Sequence, residues 1–264
     1  MSGLQKLINI CEDFSNEYNV TFNSKKTVCV PFGQTHSNGT RRVSLGGASL
    51  EWRSHVKYLG NYLSTDLSDD LDIRHKQGDF ISATNKLNCV FRTVSCKIKM
   101  RLFQSYCTAW YGSQCWLLGS NSAKRMNISW QKSVRRLLNL PYRTHCKVLP
   151  VLSNCLSFQE QHKIRTAKMI RTMINSSNDA INFIASKAVN NAIGHLGQNV
   201  IYLRLQYGSL RDGAFRISPS APDPDVTQCA QQISELLEVR DGSSRLQGMH
   251  MHEILQLIDY LCTS

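Results

Sequence analysis

The most legible chemistry in this chain lies in its cations. Between positions 86 and 171 stand sixteen Lys and Arg against a single acid, Glu160. Residues 1–85 carry nine bases and nine acids, and residues 172–264 carry six bases and nine acids, so the middle third supplies the whole formal net charge of +12. A block of that kind repels itself unless an anion neutralises it, and nucleic-acid phosphate is the usual partner. Aromatic residues scattered through the block favour the same reading. The plain alternative is a solvated helical surface that happens to be basic.

Thiols, imidazoles and carboxylates come next. The ten cysteines contain no CxxC pair, and most sit among apolar neighbours, as in Thr27-Val28-Cys29-Val30, where a free thiol acts as a small core residue. His145, Cys146, Cys155 and His162 are the natural candidates for zinc. Their spacing fits no closed finger, and both pairs fall in stretches expected to be helical, so no metal site is expected. The adjacent acids Asp69-Asp70 follow Ser68 and precede Asp72. They read as the start of a helix, capped by Ser68 and favoured by the positive end of its dipole.

The elements that must position these groups change character along the chain. With 264 residues, 42% of them hydrophobic, there is material for one large domain or two small ones. No run of eighteen apolar residues exists, so neither a transmembrane helix nor a membrane partner is expected. Met1-Ser2-Gly3-Leu4-Gln5-Lys6 lacks the apolar stretch of a secretory signal, which points to an intracellular protein, nuclear or cytoplasmic.

Leu4, Leu7, Ile8, Cys11, Phe14 and Tyr18 fall on one face of a helix over residues 3–18, which Asn19 ends. Short strands are expected at Val20-Thr21-Phe22 and in Thr27–Phe32, with a turn at Asn23–Lys26 and a polar loop from Gly33 to Thr40. A hairpin follows around Gly46-Gly47, and another strand pair is hinged at Gly60-Asn61.

Beyond Ser68 the period becomes helical: Ile73, Phe80, Leu87 and Val94 recur every seven residues. Further helices are expected over about 98–116, 123–138 (stopped by Pro141) and 157–174. A weakly patterned helical tail follows, with a linker at 218–225 and a last helix near 254–261.

Several of these segments resemble, in order, the reverse transcriptases of LINE-type (non-LTR) retrotransposons. Leu4–Cys11 followed by Tyr18–Thr27 is similar to the stretch after that family's Asp-Asp motif, running into motif D. Val56–Asn61 resembles the primer-grip hairpin. Leu102–Cys107, Tyr111–Trp116, Trp130–Arg136 and Leu140–His145 resemble the thumb and the region beyond it. The likeness covers about residues 1–175.

The resemblance implies an α+β fold. A small antiparallel β remnant of a polymerase palm (1–66) would precede a predominantly α-helical thumb-like bundle (67–175) and a helical C-terminal extension (176–264). It implies a piece of an RNA-directed DNA polymerase that binds primer–template, an RNA–DNA or DNA duplex. Lys97, Lys99, Arg101, Lys124, Arg125, Lys132, Arg135 and Arg136 would contact phosphate, and Tyr58, Leu59 and Gly60 would form the grip. The lesser alternative for Arg135 and Arg136 is pairing with the acids of the tail.

Lys26 would stand near the leaving pyrophosphate as a general acid, with Lys25 and a solvent-facing turn lysine as alternatives. The family's metal-binding carboxylates precede the matched region. Mg would therefore belong to the complete enzyme, and the chain is expected to be inactive alone, needing a palm and fingers segment to polymerise. The alternative is a non-catalytic helical nucleic-acid-binding protein or a decayed transposon remnant.

Overall fold

The computed structural model describes residues 3–33, 42–192 and 194–208, and, within a last helical stretch, 224–228, 230, 231, 233 and 235. The fold is mixed α+β and mostly helical. The chain divides into two compact units, one ending at Asp72 and the other starting at Ile73.

The first unit opens with α1 (Gly3–Glu17). Asn19, at φ +53°, ends it, and the Val20 N–H bonds back to the Ser15 carbonyl at 3.0 Å. That closure wraps Val20 into the helix terminus, so the strand expected at Val20–Phe22 does not form.

Strand β1 (Val28–Cys29) pairs in parallel with β4 (Glu51–Trp52), whereas an antiparallel sheet was expected. The reversal between them is taken up by β2 (Ser44–Leu45) and β3 (Ala48–Ser49), which form an antiparallel hairpin with Gly46 and Gly47 both at positive φ. The intervening chain is long enough for the crossover that a parallel pair demands. Hairpin β5 (His55–Tyr58) and β6 (Asn61–Ser64) pairs Tyr58 with Asn61, so its turn is Leu59-Gly60 and not Gly60-Asn61. The core of this unit is small: Cys29, Val43, Leu45 and Leu50, with Ile8 of α1 against them.

The second unit is a helical bundle. In α2 (Asp70–Val90) the seven-residue series Ile73, Phe80 and Leu87 is buried, while Val94 lies past its end and is half-buried. Ser68 Oγ accepts the Asp70 N–H at 3.2 Å, the expected cap.

Helix α3 (Cys96–Tyr106) stops ten residues before the expected Trp116. A continuous helix would put Tyr106 and Trp110 on one face, yet Tyr106 is 74% exposed and Trp110 only 4%. Leaving the helix after Tyr106 lets Trp110 turn inward alone, between Phe80 (4.7 Å between centroids) and Phe158 (5.1 Å). Gly112, at φ +79°, then leads into a 3-10 turn at Ser113–Cys115.

Helix α4 (Asn121–Leu137) starts at Ser120, whose hydroxyl accepts the Ala123 N–H. It ends at Asn139 (φ +52°), where Leu140 N–H reaches the Arg135 carbonyl and Asn139 N–H the Arg136 carbonyl. That is a complete Schellman closure, so the helix has already stopped before Pro141.

The sequence pattern missed the short α5 (Leu149–Ser153). Helix α6 (Phe158–Ile174) is capped by Ser157. Two helices, α7 (Asp179–Asn191) and α8 (Gly194–Tyr207), follow. Ala167 and Ile170 of α6 share a buried cluster with Val200 and Leu203 of α8, so residues up to 207 continue the bundle. Pro224 and Asp225, expected in the linker, begin a helical stretch whose Ala230 and Ile233 pack on Val148. The rest of that linker, the loop at 34–40 and the helix near 254–261 lie outside the described residues.

Candidate nucleic-acid interface

Helix α4 sorts its side chains by charge. Met126, Trp130, Val134 and Leu137 are fully buried, while Lys124, Arg125, Ile128, Lys132 and Arg136 face solvent. Lys124, Lys132 and Arg136 stand on one row at intervals of four, with Ile128 between them, and each step advances about 6 Å along the axis. The Arg136 guanidinium is steadied by Asn85 Oδ1 of α2 at 2.6 Å, and Arg125 by the Ser122 hydroxyl. Both partners are neutral, and among the described residues neither guanidinium forms an ion pair.

The block's only acid is already committed. Glu160 holds Lys163 Nζ at 2.8 Å. Burial pulls the Lys163 ammonium down, but the Glu160 carboxylate outweighs it and the net shift is up. Lys97 and Arg101 make a second exposed pair along α3, and Lys168 and Arg171 a third along α6. Lys86, Arg92, Arg143 and Lys147 are exposed as well. Sequence reasoning passed over the α6 pair and these four, although their composition signal was the same.

Two expected phosphate contacts have structural duties. Lys99 is 4% exposed, and its ammonium donates to the Arg92 carbonyl at 3.2 Å. Arg135 donates from Nε and Nη2 to the Thr144 carbonyl at 3.0 and 2.8 Å, and its burial pushes its pKa down. A guanidinium used in this way secures the turn after α4. Arg135 and Arg136 thus take their described partners from the bundle, Thr144 and Asn85, and not from tail acids.

In the first unit, Lys25 and Lys26 are both exposed, and the Lys26 N–H closes the expected turn onto the Asn23 carbonyl at 3.0 Å. At the tip of the β5–β6 hairpin, Tyr58 and Leu59 are exposed. Leu59 at φ +47° and Gly60 at φ +82° make a two-residue turn of the primed kind. Glycine accepts that conformation freely, but for leucine it is a rare and costly one. Lys57 lies 5.6 Å from the ring of its cross-strand partner Tyr62.

The acids near this hairpin belong to the start of α2. Asp72 Oδ1 accepts the Tyr62 N–H at 3.0 Å, and Asp69 and Asp70 sit at the start of α2. Among the described residues, no group of three or more His, Cys, Asp or Glu could hold a metal ion. Of the zinc candidates only His162 is helical. His145 and Cys146 lie in the turns before α5, and Cys155 in the bend after it, contrary to the helices expected there.

His162 is an unexpected feature. It is 2% exposed and packs against Trp116 and Phe158, with ring centroids at 6.0 and 5.5 Å. Burial drives its pKa down to about 4, although the carbonyls of Trp116 and Ser113 oppose the shift. It lines a cavity of about 170 Å³ with Lys124, Asn127, Phe158 and Tyr202. Among the described helices, none is long and apolar enough to cross a membrane.

No family model, curated protein or solved structure matches this chain.

Proposed function

We propose that the helical bundle binds the phosphate backbone of a nucleic-acid duplex, and that the chain is the C-terminal part of a LINE-type reverse transcriptase, inert in polymerisation by itself. One observation carries the binding reading. The solvent face of α4 presents Lys124, Arg125, Lys132 and Arg136, while the block's single acid, Glu160, is bound to Lys163. Cations in a row on a rigid helix contact phosphates without reading sequence, and they release counterions on binding. In the polymerase reading the bundle would act as a thumb, the Tyr58–Gly60 turn would meet the primer end, and Lys26 would be the motif D lysine. Mg would belong to the complete enzyme.

The test mixes the chain with a palm and fingers segment of such a polymerase and measures primer extension on an RNA template. Extension that needs both components supports the polymerase reading. Duplex binding with no extension favours a non-catalytic nucleic-acid-binding protein. Neither activity leaves the remnant.

A further inference from the structure

His162 is 2% exposed, and its Nε2 has no hydrogen-bond partner among the described residues. The carbonyls of Trp116 and Ser113 take the ring's other nitrogen. The imidazole therefore donates from Nδ1 and keeps a bare lone pair on Nε2. A buried polar atom in that condition is uncommon and calls for a reason. Thr84 Oγ1 and Trp130 Nε1 share it, but the thiols of Cys107 and Cys155 lie beside them. His162 instead borders the cavity of about 170 Å³ between α4, α6 and α8. With Nδ1 turned to the carbonyls, the opposite ring edge, which carries Nε2, is left toward that space.

Size and lining limit what can enter. A cavity of ~150 Å³ with apolar walls takes up benzene, so this one has room for a single six-membered ring and small substituents. Leu118, Ala123 and Phe158 line it and are buried, and Tyr202 adds a second aromatic surface. Lys124 and Ile128 line it and are exposed, so it opens at the head of the row that continues through Lys132 and Arg136. Other groups that could hold an anion inside are occupied. Gln159 N–H goes to Asn127 Oδ1, Glu160 N–H to Ser157 Oγ, and Lys163 to Glu160. The interior thus suits an uncharged ring that donates one hydrogen bond, and the mouth suits an anion.

We propose that the cavity receives one unpaired pyrimidine base of the bound strand, which donates to His162 Nε2 while its phosphate sits on Lys124. Thymine and uracil donate from N3–H and cytosine from its 4-amino group, and aromatic walls are what an extruded base needs. The fused second ring of a purine exceeds the space. This site presupposes phosphate binding by α4 and adds to it a preference for an unpaired base.

Fluorescence anisotropy of the full chain tests this on labelled RNA–DNA hybrids that are fully paired or carry one bulged residue: thymidine, N3-methylthymidine, adenosine or an abasic site. The thymidine bulge binds about tenfold tighter than the abasic bulge. Adenosine and N3-methylthymidine gain little over the abasic bulge. His162→Phe keeps the ring and removes the acceptor, and it shrinks the thymidine preference several-fold. Ala123→Leu fills the cavity and abolishes the preference, with fully paired binding retained and circular dichroism as the check on folding. Equal affinity for thymidine and abasic bulges, an equal gain from adenosine or N3-methylthymidine, or a preference that survives both variants overturns the site. Salt-dependent binding of the paired duplex then leaves the α4 reading standing, whereas no binding to any of these duplexes overturns both.

Discussion

Arg135 of α4 gives two guanidinium nitrogens to one acceptor, the carbonyl of Thr144, at 3.0 and 2.8 Å. Thr144 is 1% exposed and its own hydroxyl donates to the Pro141 carbonyl at 2.9 Å, so the arginine and the threonine together fix the turn that leaves the helix. A residue whose charge suggested a ligand contact is committed to the turn that closes α4. Arg135→Ala leaves a buried carbonyl unsatisfied and is expected to cost about 1–3 kcal/mol in urea denaturation.

Lys124 and Lys132 are expected to behave in the opposite way. Both are exposed. The Lys124→Ala, Lys132→Ala double variant should leave stability within about 1 kcal/mol. Its duplex affinity should fall, and its salt slope should drop by about two. Urea titration and salt-dependent binding, run side by side on this variant and on Arg135→Ala, separate the two classes of base.

His162 ties stability to pH. Its pKa is about 4 in the fold against an ordinary 6.5, so between those values the unfolded chain binds more protons than the folded one. The contribution is whole above pH 6.5 and shrinks as pH falls, and it is gone below about 4. The total is about 3 kcal/mol. Denaturation midpoints should decline over that window, and in a His162→Phe variant much of the decline should disappear.

Asn199 is the residue that sequence reasoning had least chance of finding. From within α8 its Oδ1 accepts the Leu118 N–H at 2.7 Å and its Nδ2 donates to the Trp116 carbonyl at 2.9 Å, with the side chain fully enclosed. It pins α8 to the loop before α4. Asn199→Leu strands two buried backbone groups and should cost about 2–5 kcal/mol by chemical denaturation.

Leu59 gives a prediction of the other sign. At φ +47° in an exposed turn, it holds a conformation that glycine takes without penalty. Leu59→Gly should stabilise the first unit by about 1 kcal/mol. If the turn meets a primer end, the same change should also lower primer extension in the complemented enzyme. Thermal unfolding and extension assays read the two effects separately.

Much of the bundle could be read directly from residue types. Ile73, Phe80 and Leu87 mark the buried face of α2 by their spacing, and Ser68 and Ser157 mark two helix starts. The misses arise where long-range packing overrides a local period. Trp110 continues the apolar face of α3 in sequence but leaves the helix to reach Phe80 and Phe158. Lys99 and Arg135 look like their exposed neighbours until the carbonyls of Arg92 and Thr144 are seen to claim them. The parallel β1–β4 pair was illegible because two-residue strands carry almost no alternation. On α4 charge alone named Lys124, Lys132 and Arg136, and their alignment on one row came only with the helix itself.

The central claim, a phosphate-binding face on α4, is tested most directly by fluorescence anisotropy with a labelled RNA–DNA hybrid duplex at several salt concentrations. The expected result is a logarithmic plot of affinity against salt with a slope of about −3 or steeper, made shallower when Lys124 and Lys132 are replaced by alanine. Absence of binding at low salt, or affinity that ignores both salt and those two residues, would contradict it.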